Sequence, residues 1–482
     1  MPVALDLEDI QGLVARGYRG LRSACFLLLG VDEPSAARGF LTRTSTKLTT
    51  ARSSPDDSAV NIAFTWEGLR RLGLPETALA GFPSEFVSGI TAPHRSRFLG
   101  DVDGGAPAHW LWGGPSTPGV DALLLVYGRD EAALRRRLDE LGTDMTGLFE
   151  VTRLPATDLP TDQQAFREPF GFRDGISQPL IEGLPATGSG AGVVRAGEFV
   201  LGYPNEYGLL TERPLLPARA DPHRMLPVDP GGSGRADFGR NGSYLALRQL
   251  RQDVGGFWRY VEDATRRPDG SSDRDRSVAL AAKLVGRWPS GAPLVLSPER
   301  DEPQFAAAND FGYYARDPPG LACPLGALVR RANPRDTLDP QPGSADSLAV
   351  NKRHRILRRS RAYGPVDDSR PEQNVDRGLY FICLNANLTR QFEFVQHTWL
   401  SNPNFNGLYD DADPLVGARR PDGTTFTQPA RPVRFLGVRV SRTRKGLDVG
   451  RASGLGAVRA MEVGPPEPPC GGRFQTTHCC VS

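Results

Sequence analysis

Histidine is scarce in this chain, with six residues in 482: His94, His109, His223, His354, His397 and His478. Cysteine is as rare, and three of its six residues (Cys470, Cys479, Cys480) crowd near the C-terminal end. The other three, Cys25, Cys323 and Cys383, stand alone in apolar or motif segments, as buried thiols in a reducing compartment would. Long apolar runs are missing. The longest, from Ala24 to Val31, is far too short to span a bilayer. The N-terminus, MPVALDLEDIQG, is acidic and lacks the basic start and apolar core of a secretory signal. No basic stripe is interleaved with aromatics, and the formal charge is only +2, which argues against a nucleic-acid partner. These absences lead to the expectation of a soluble, cytoplasmic protein with no membrane partner.

What is present is ordinary globular composition, 39% hydrophobic and 24% charged, cut by many glycines and prolines (54 and 42). The length allows two or three domains, or one core built from two related halves. In the first third, 24–31, 60–64, 123–127 and 149–153 read as strands. Between them, 34–41, 65–72 and 131–141 read as helices, opened by Pro34, capped by Thr65 and stopped at Gly142, respectively. That order suggests a split βαβ, ferredoxin-like α+β half. A second run follows a Pro/Gly-rich connector. It has a strand at 243–248, helices at 253–264 and 277–285, strand-like pieces at 328–332, 354–359 and 379–384, and a helix at 388–399 capped by Asn387. The expected division is 1–205 for the first half, 206–435 for the second and 436–482 for a divergent tail.

Four segments carry chemistry: FGFRDG (170–175), GLACPLGALVRRANPRD (320–336), NKRHRILRRSRAYG (351–364) and RGLYFICLNANLTRQFEFVQHTWLSNPNF (377–405). In the second, Arg330, Arg331 and Arg335, with Lys352 beyond, surround the apolar step Ala327-Leu328-Val329, like the floor of a pocket for an anion. If 354–359 is a strand, His354, Ile356, Arg358 and Ser360 share one face, and Leu357 and Arg359 the other. Gly171 and Gly175 would let the chain turn tightly beside a ligand.

In this order the segments resemble the dye-decolourising haem peroxidases, over roughly residues 8 to 430. The resemblance implies an α+β fold of two ferredoxin-like halves with antiparallel sheets and a haem b cleft between them. It implies hydrogen-peroxide-dependent oxidation of dyes, phenols or other bulky reductants. Asp174 matches the family's distal carboxylate, which moves a proton between the oxygens of peroxide. Arg358 matches the distal cation that stabilises charge as the O–O bond breaks. Arg330, Arg331 and Arg335 are candidates for the haem propionates, and Trp258, Trp288, Tyr313 and Tyr314 for electron relay.

One position departs from the pattern. Where the family has its proximal histidine, the iron ligand, this chain has Leu328, which offers no lone pair. His354 and His397 are the surrogate candidates. Three readings follow: a peroxidase, a pseudo-peroxidase holding haem weakly through the apolar floor and the arginines, and a non-catalytic binding scaffold. The tail departs too. His478, Cys479 and Cys480 match no common zinc spacing, and Cys479-Cys480-Val481-Ser482 fits only a loose prenylation pattern.

Overall fold

Strand β1 (Ser23–Val31) is buried at every position, which is why its sequence is a continuous apolar run and not an alternation. Cys25, Leu27 and Leu29 enter one core, whereas Ala24, Phe26 and Leu28 enter another. It is followed by α1 (Pro34–Ser45), whose first amides at Ser35 and Ala36 donate to the Glu33 side chain. Then come β2 (Ser58–Phe64), α2 (Trp66–Arg71), capped by the Thr65 side chain on Gly68 N, and β3 (Ala122–Gly128). α3 (Glu131–Asp144) runs on past Gly142, the expected stop, and leads into β4 (Leu148–Pro155). The four strands form an antiparallel sheet in the order β2-β3-β1-β4, the ferredoxin-like arrangement.

In this computed structural model the described residues are 4–162, 166–184, 192–221, 223–365, 375–417, 424–430 and 434–440, with short strand pairs at 462–463 and 476–477. The second half contains β5 (Tyr244–Arg251), α4 (Val254–Thr265), α5 (Arg274–Val285), α6 (Leu328–Ala332) and α7 (Ala345–Lys352). β6 (Leu357–Arg358), β7 (Arg361–Tyr363) and β8 (Gly378–Asn385) complete it. β8 pairs antiparallel with β5 on one edge and with β6 and β7 on the other. The strands thus follow the relative order seen in the first half.

The two sheets share a core. Phe26 meets Tyr380 edge-on at 5.8 Å, and Leu247, Leu357 and Ile382 lie in the same cluster as Leu28 and Leu125. Strand alternation then turns Arg248, Leu250, Arg358, Leu379 and Phe381 to the outer face of the second sheet, where they line a cavity.

Three elements differ from the sequence reading. Residues 328–332 form the short helix α6, not a strand. The expected strand at 354–359 is only Leu357–Arg358, so His354 lies ahead of it and does not share the face of Arg358. Residues 388–400 coil in wide turns: Glu393 N reaches Leu388 O at 2.9 Å and Ser401 N reaches Gln396 O at 3.0 Å, five residues back in each case. Asn387 does cap this segment, its Oδ1 accepting from Arg390 N at 2.7 Å. Beyond it, β9 (Thr424–Ala430) pairs with β10 (Arg434–Val440), carrying regular structure past residue 435. Cys470, His478, Cys479 and Cys480 lie outside the described residues. No helix among the described residues is long and apolar enough to cross a membrane.

Candidate ligand cavity and its polar neighbour

The outer face of the second sheet forms one wall of a cavity of about 280 Å³. The facing wall comes from α6, through Leu328, Val329 and Ala332, and from Phe392, Val395 and Leu400 of the wide-turn segment. The first half contributes segment 99–105 and Ser177. Both halves therefore reach the cleft, but the second half supplies most of it.

Leu328 is on this wall, as the first residue of α6. Helical geometry sends Arg330 and Arg331 the other way. Arg330 and Arg331 are 0% exposed and line neither this cavity nor the one beside it. Arg330 donates to Asp317 and to the carbonyls of Asp317 and Cys323. Arg331 donates to the carbonyls of Trp399, Asn402 and Asp411. The sequence reading placed these two at a pocket floor, whereas the structure buries them behind α6, where they fasten the helix. The strand assignment hid this, since five residues are too few to show a helical period.

Arg335 does line the cavity, stacked 3.8 Å over Phe311 and donating to Asn309 and to Phe311 O. Sequence reasoning missed its companions Arg287 and Arg355, which folding brings to the same wall. Arg287 donates to the carbonyls of Gly291 and Ala308, and Arg355 reaches only the Ser177 carbonyl, at 3.4 Å. Burial, then the charges of Arg335 and Arg358, lower the pKa of Arg355 to about 9. Burial lowers that of Arg287 to about 10. Among the described residues none of Arg287, Arg335 and Arg355 is ion-paired to a carboxylate. Arg248, on the same wall, is paired with Asp101.

Arg358 is shared between two spaces. It lines the apolar cavity and also a polar one of about 230 Å³ that holds Asp174, Gly175, Gln178, Arg19 and Arg173. Its guanidinium donates to Asp174 Oδ1 at 3.0 Å, and its backbone amide donates to Gln178 Oε1 at 3.0 Å. Asp174 and Arg358 are thus brought together, with Leu328 on the wall of the cavity that Arg358 enters.

The loop that carries Asp174 is built around a residue that the sequence reading passed over. Glu168 accepts from the amides of Phe170 (3.0 Å) and Phe172 (2.9 Å) and from Gln252 Nε2 (2.6 Å). Burial pushes its pKa up to about 7 against these hydrogen bonds. The only sequence signal was a carboxylate two and four residues ahead of those amides. Gly171 and Gly175 have φ of +95° and +77°, a region that favours glycine. Only Gly175 lines a cavity, the polar one, where Arg19 donates to its carbonyl at 2.8 Å.

The surrogate histidines lie elsewhere. His354 Nδ1 contacts Arg390 O at 2.6 Å, and its ring stacks on Phe394 at 3.9 Å and meets Trp399 edge-on. Burial lowers its pKa to about 4. His397 is exposed, stacked on Phe98 at 3.9 Å with Nδ1 2.7 Å from Phe98 O. Neither lines the cavity. Of the relay candidates, Tyr313 lines it, and the adjacent Tyr314 is exposed. Trp288 is buried, with Nε1 donating to Ser297 O, and Trp258 packs beside Phe257.

The chain was compared with known proteins. No protein-family model matches. It is 32% identical over 442 residues to a dye-decolorizing peroxidase of Mycena epipterygia, spanning 86% of this chain and 75% of the relative. It is 29% identical over 445 residues to a multifunctional dye peroxidase of an Amycolatopsis species, covering 87% of each. A solved DyP-type peroxidase of Auricularia auricula-judae superposes with a TM-score of 0.73, covering 95% of this chain and 96% of that one, at 24% identity.

Proposed function

Because the chain belongs to the dye-decolourising peroxidase family, we propose that its apolar cavity takes a haem-class tetrapyrrole and that Asp174 and Arg358 serve hydrogen peroxide. A bulky, dye-like compound is the reductant. The observation that carries this reading is the 3.0 Å pair between Asp174 and Arg358, with Arg358 reaching the wall that also holds Leu328.

The residues present fit the organic part of haem. An apolar slot suits the macrocycle, and the unpaired Arg287, Arg335 and Arg355 suit its two propionates. Bound iron would supply the electrons that cleave the O–O bond of peroxide, to be replaced afterwards by the reductant. Asp174 has Oδ1 engaged by Arg358, so Oδ2 is the oxygen to accept a proton from peroxide and return it. Arg358, fixed by Asp174 and Gln178, holds a positive charge beside the developing anion. Glu168 sets the loop from which Asp174 projects. Tyr313, with Tyr314 outside, gives bulky reductants a route that does not require entry.

Leu328 favours a second reading, a pseudo-peroxidase that keeps the pocket and turns over slowly. The experiment that separates the two is the absorption spectrum of the full chain with added haem, followed by peroxide and a dye. A Soret band with dye oxidation supports the peroxidase, and a Soret band with negligible oxidation supports the pseudo-peroxidase. No band at all overturns both.

A further inference from the structure

Resting on the tetrapyrrole reading, we propose that the cavity recognises its ligand by the apolar plate and the carboxylates and is indifferent to the metal. Metal-free protoporphyrin is then a ligand on a par with haem.

The first support is the donor set. No histidine, cysteine or methionine lines the cavity. Two side chains there could ligate iron in an ionised form, and both are committed otherwise. Asp101 is paired with Arg248. Tyr313 is held as a phenol, because burial pushes its pKa far above the ordinary value, whereas tyrosine ligates haem iron as the phenolate. Cys323 and Cys383 are buried and line neither cavity, although Cys383 lies opposite Arg358 in the register of β6 and β8. Among the described residues no group of three or more His, Cys, Asp and Glu side chains is placed to hold a metal ion.

The second support is what remains for recognition. Leu99, Val102, Leu328, Val329 and Leu415 give apolar contact that a macrocycle with or without iron satisfies equally. Among the described residues Arg355 is a half-buried cation with a single long contact to a carbonyl, beside two more guanidinium groups that line the same cavity. A half-buried cation with so little compensation, lining a cavity, suits an anion as its partner. The propionates of a tetrapyrrole supply two, whether or not the ring holds a metal.

The test is a pair of titrations of the full chain, with protoporphyrin IX followed by its fluorescence and with ferric haem followed by its Soret band. The dissociation constants should agree within about fivefold, with no histidine-type haem spectrum. Leu328→His should tighten haem by about ten- to a hundredfold and leave protoporphyrin IX unchanged, because only iron gains a bond. Arg355→Leu should weaken both ligands alike, and Arg355→Lys should weaken both less. If haem binds the unmodified chain about a hundredfold more tightly than protoporphyrin IX, the inference fails while the tetrapyrrole reading stands. If neither binds to chain shown folded by circular dichroism, the tetrapyrrole reading fails with it.

Discussion

Asp174 and Arg358 stand 184 positions apart in sequence and meet at 3.0 Å where the apolar cavity adjoins the polar one. The pair is assembled at the edge of a cavity whose wall also carries Leu328. On the proposed function, the roles of this pair and of position 328 can each be tested alone.

Restoring the ligand is the direct experiment. Leu328→His, loaded with haem, should show a five-coordinate, histidine-ligated ferric spectrum and gain peroxide-dependent dye oxidation. In that background Asp174→Asn should lower the rate of reaction with peroxide by about 10²- to 10⁴-fold, read by stopped flow. Arg358→Leu should act in the same direction through lost charge stabilisation. Unchanged rates would remove both residues from the chemistry.

The two classes of arginine should part company in denaturant. Arg331→Ala leaves three backbone carbonyls without their donor beneath α6. It should cost on the order of 3 kcal/mol or more, since each buried acceptor left unpaired costs about 1–3 kcal/mol, measured by urea unfolding. Arg335→Leu should spare more stability and instead weaken ligand binding. Equal effects on stability would place Arg335 among the fasteners as well.

His354→Gln and His397→Ala should leave any haem spectrum unaltered, because neither ring lines the cavity. A shift of the Soret band in either variant would identify a surrogate ligand.

Glu168 gives a pH signature. Its folded pKa, about 7, lies above the ordinary carboxylate value, so the folded chain holds a proton that the unfolded chain has released. Its contribution to stability is therefore greatest below the unfolded pKa, declines through the interval between the two values, and is lost above about 7. Glu168→Gln, which cannot ionise, should flatten that decline in unfolding curves taken between pH 5 and 8. An identical slope in both proteins would show that the residue does not titrate there.

The first half was legible because its elements are long and its periods clean. β1 reads as a buried strand from apolar content alone, and Thr65 caps α2 as its chemistry suggests. The alternation that sends Arg358 to one face and Leu357 to the other was also readable, although the strand proved only two residues long. α6 was not, since Leu-Val-Arg-Arg-Ala fits a strand as well as a helix, and the choice decides where two arginines point. Arg287, Arg335 and Arg355 lie up to 68 positions apart in the chain, and only tertiary folding makes them neighbours. Glu168 works through backbone amides, which leave no trace in residue identity.

Segment 99–105 comes from the first half, yet it closes a cavity built mostly by the second. An occupant of that cavity acts as a keystone between the two sheets' domains. Its binding energy resists the unfolding of both at once, so the melting temperature of the whole chain becomes a gauge of occupancy.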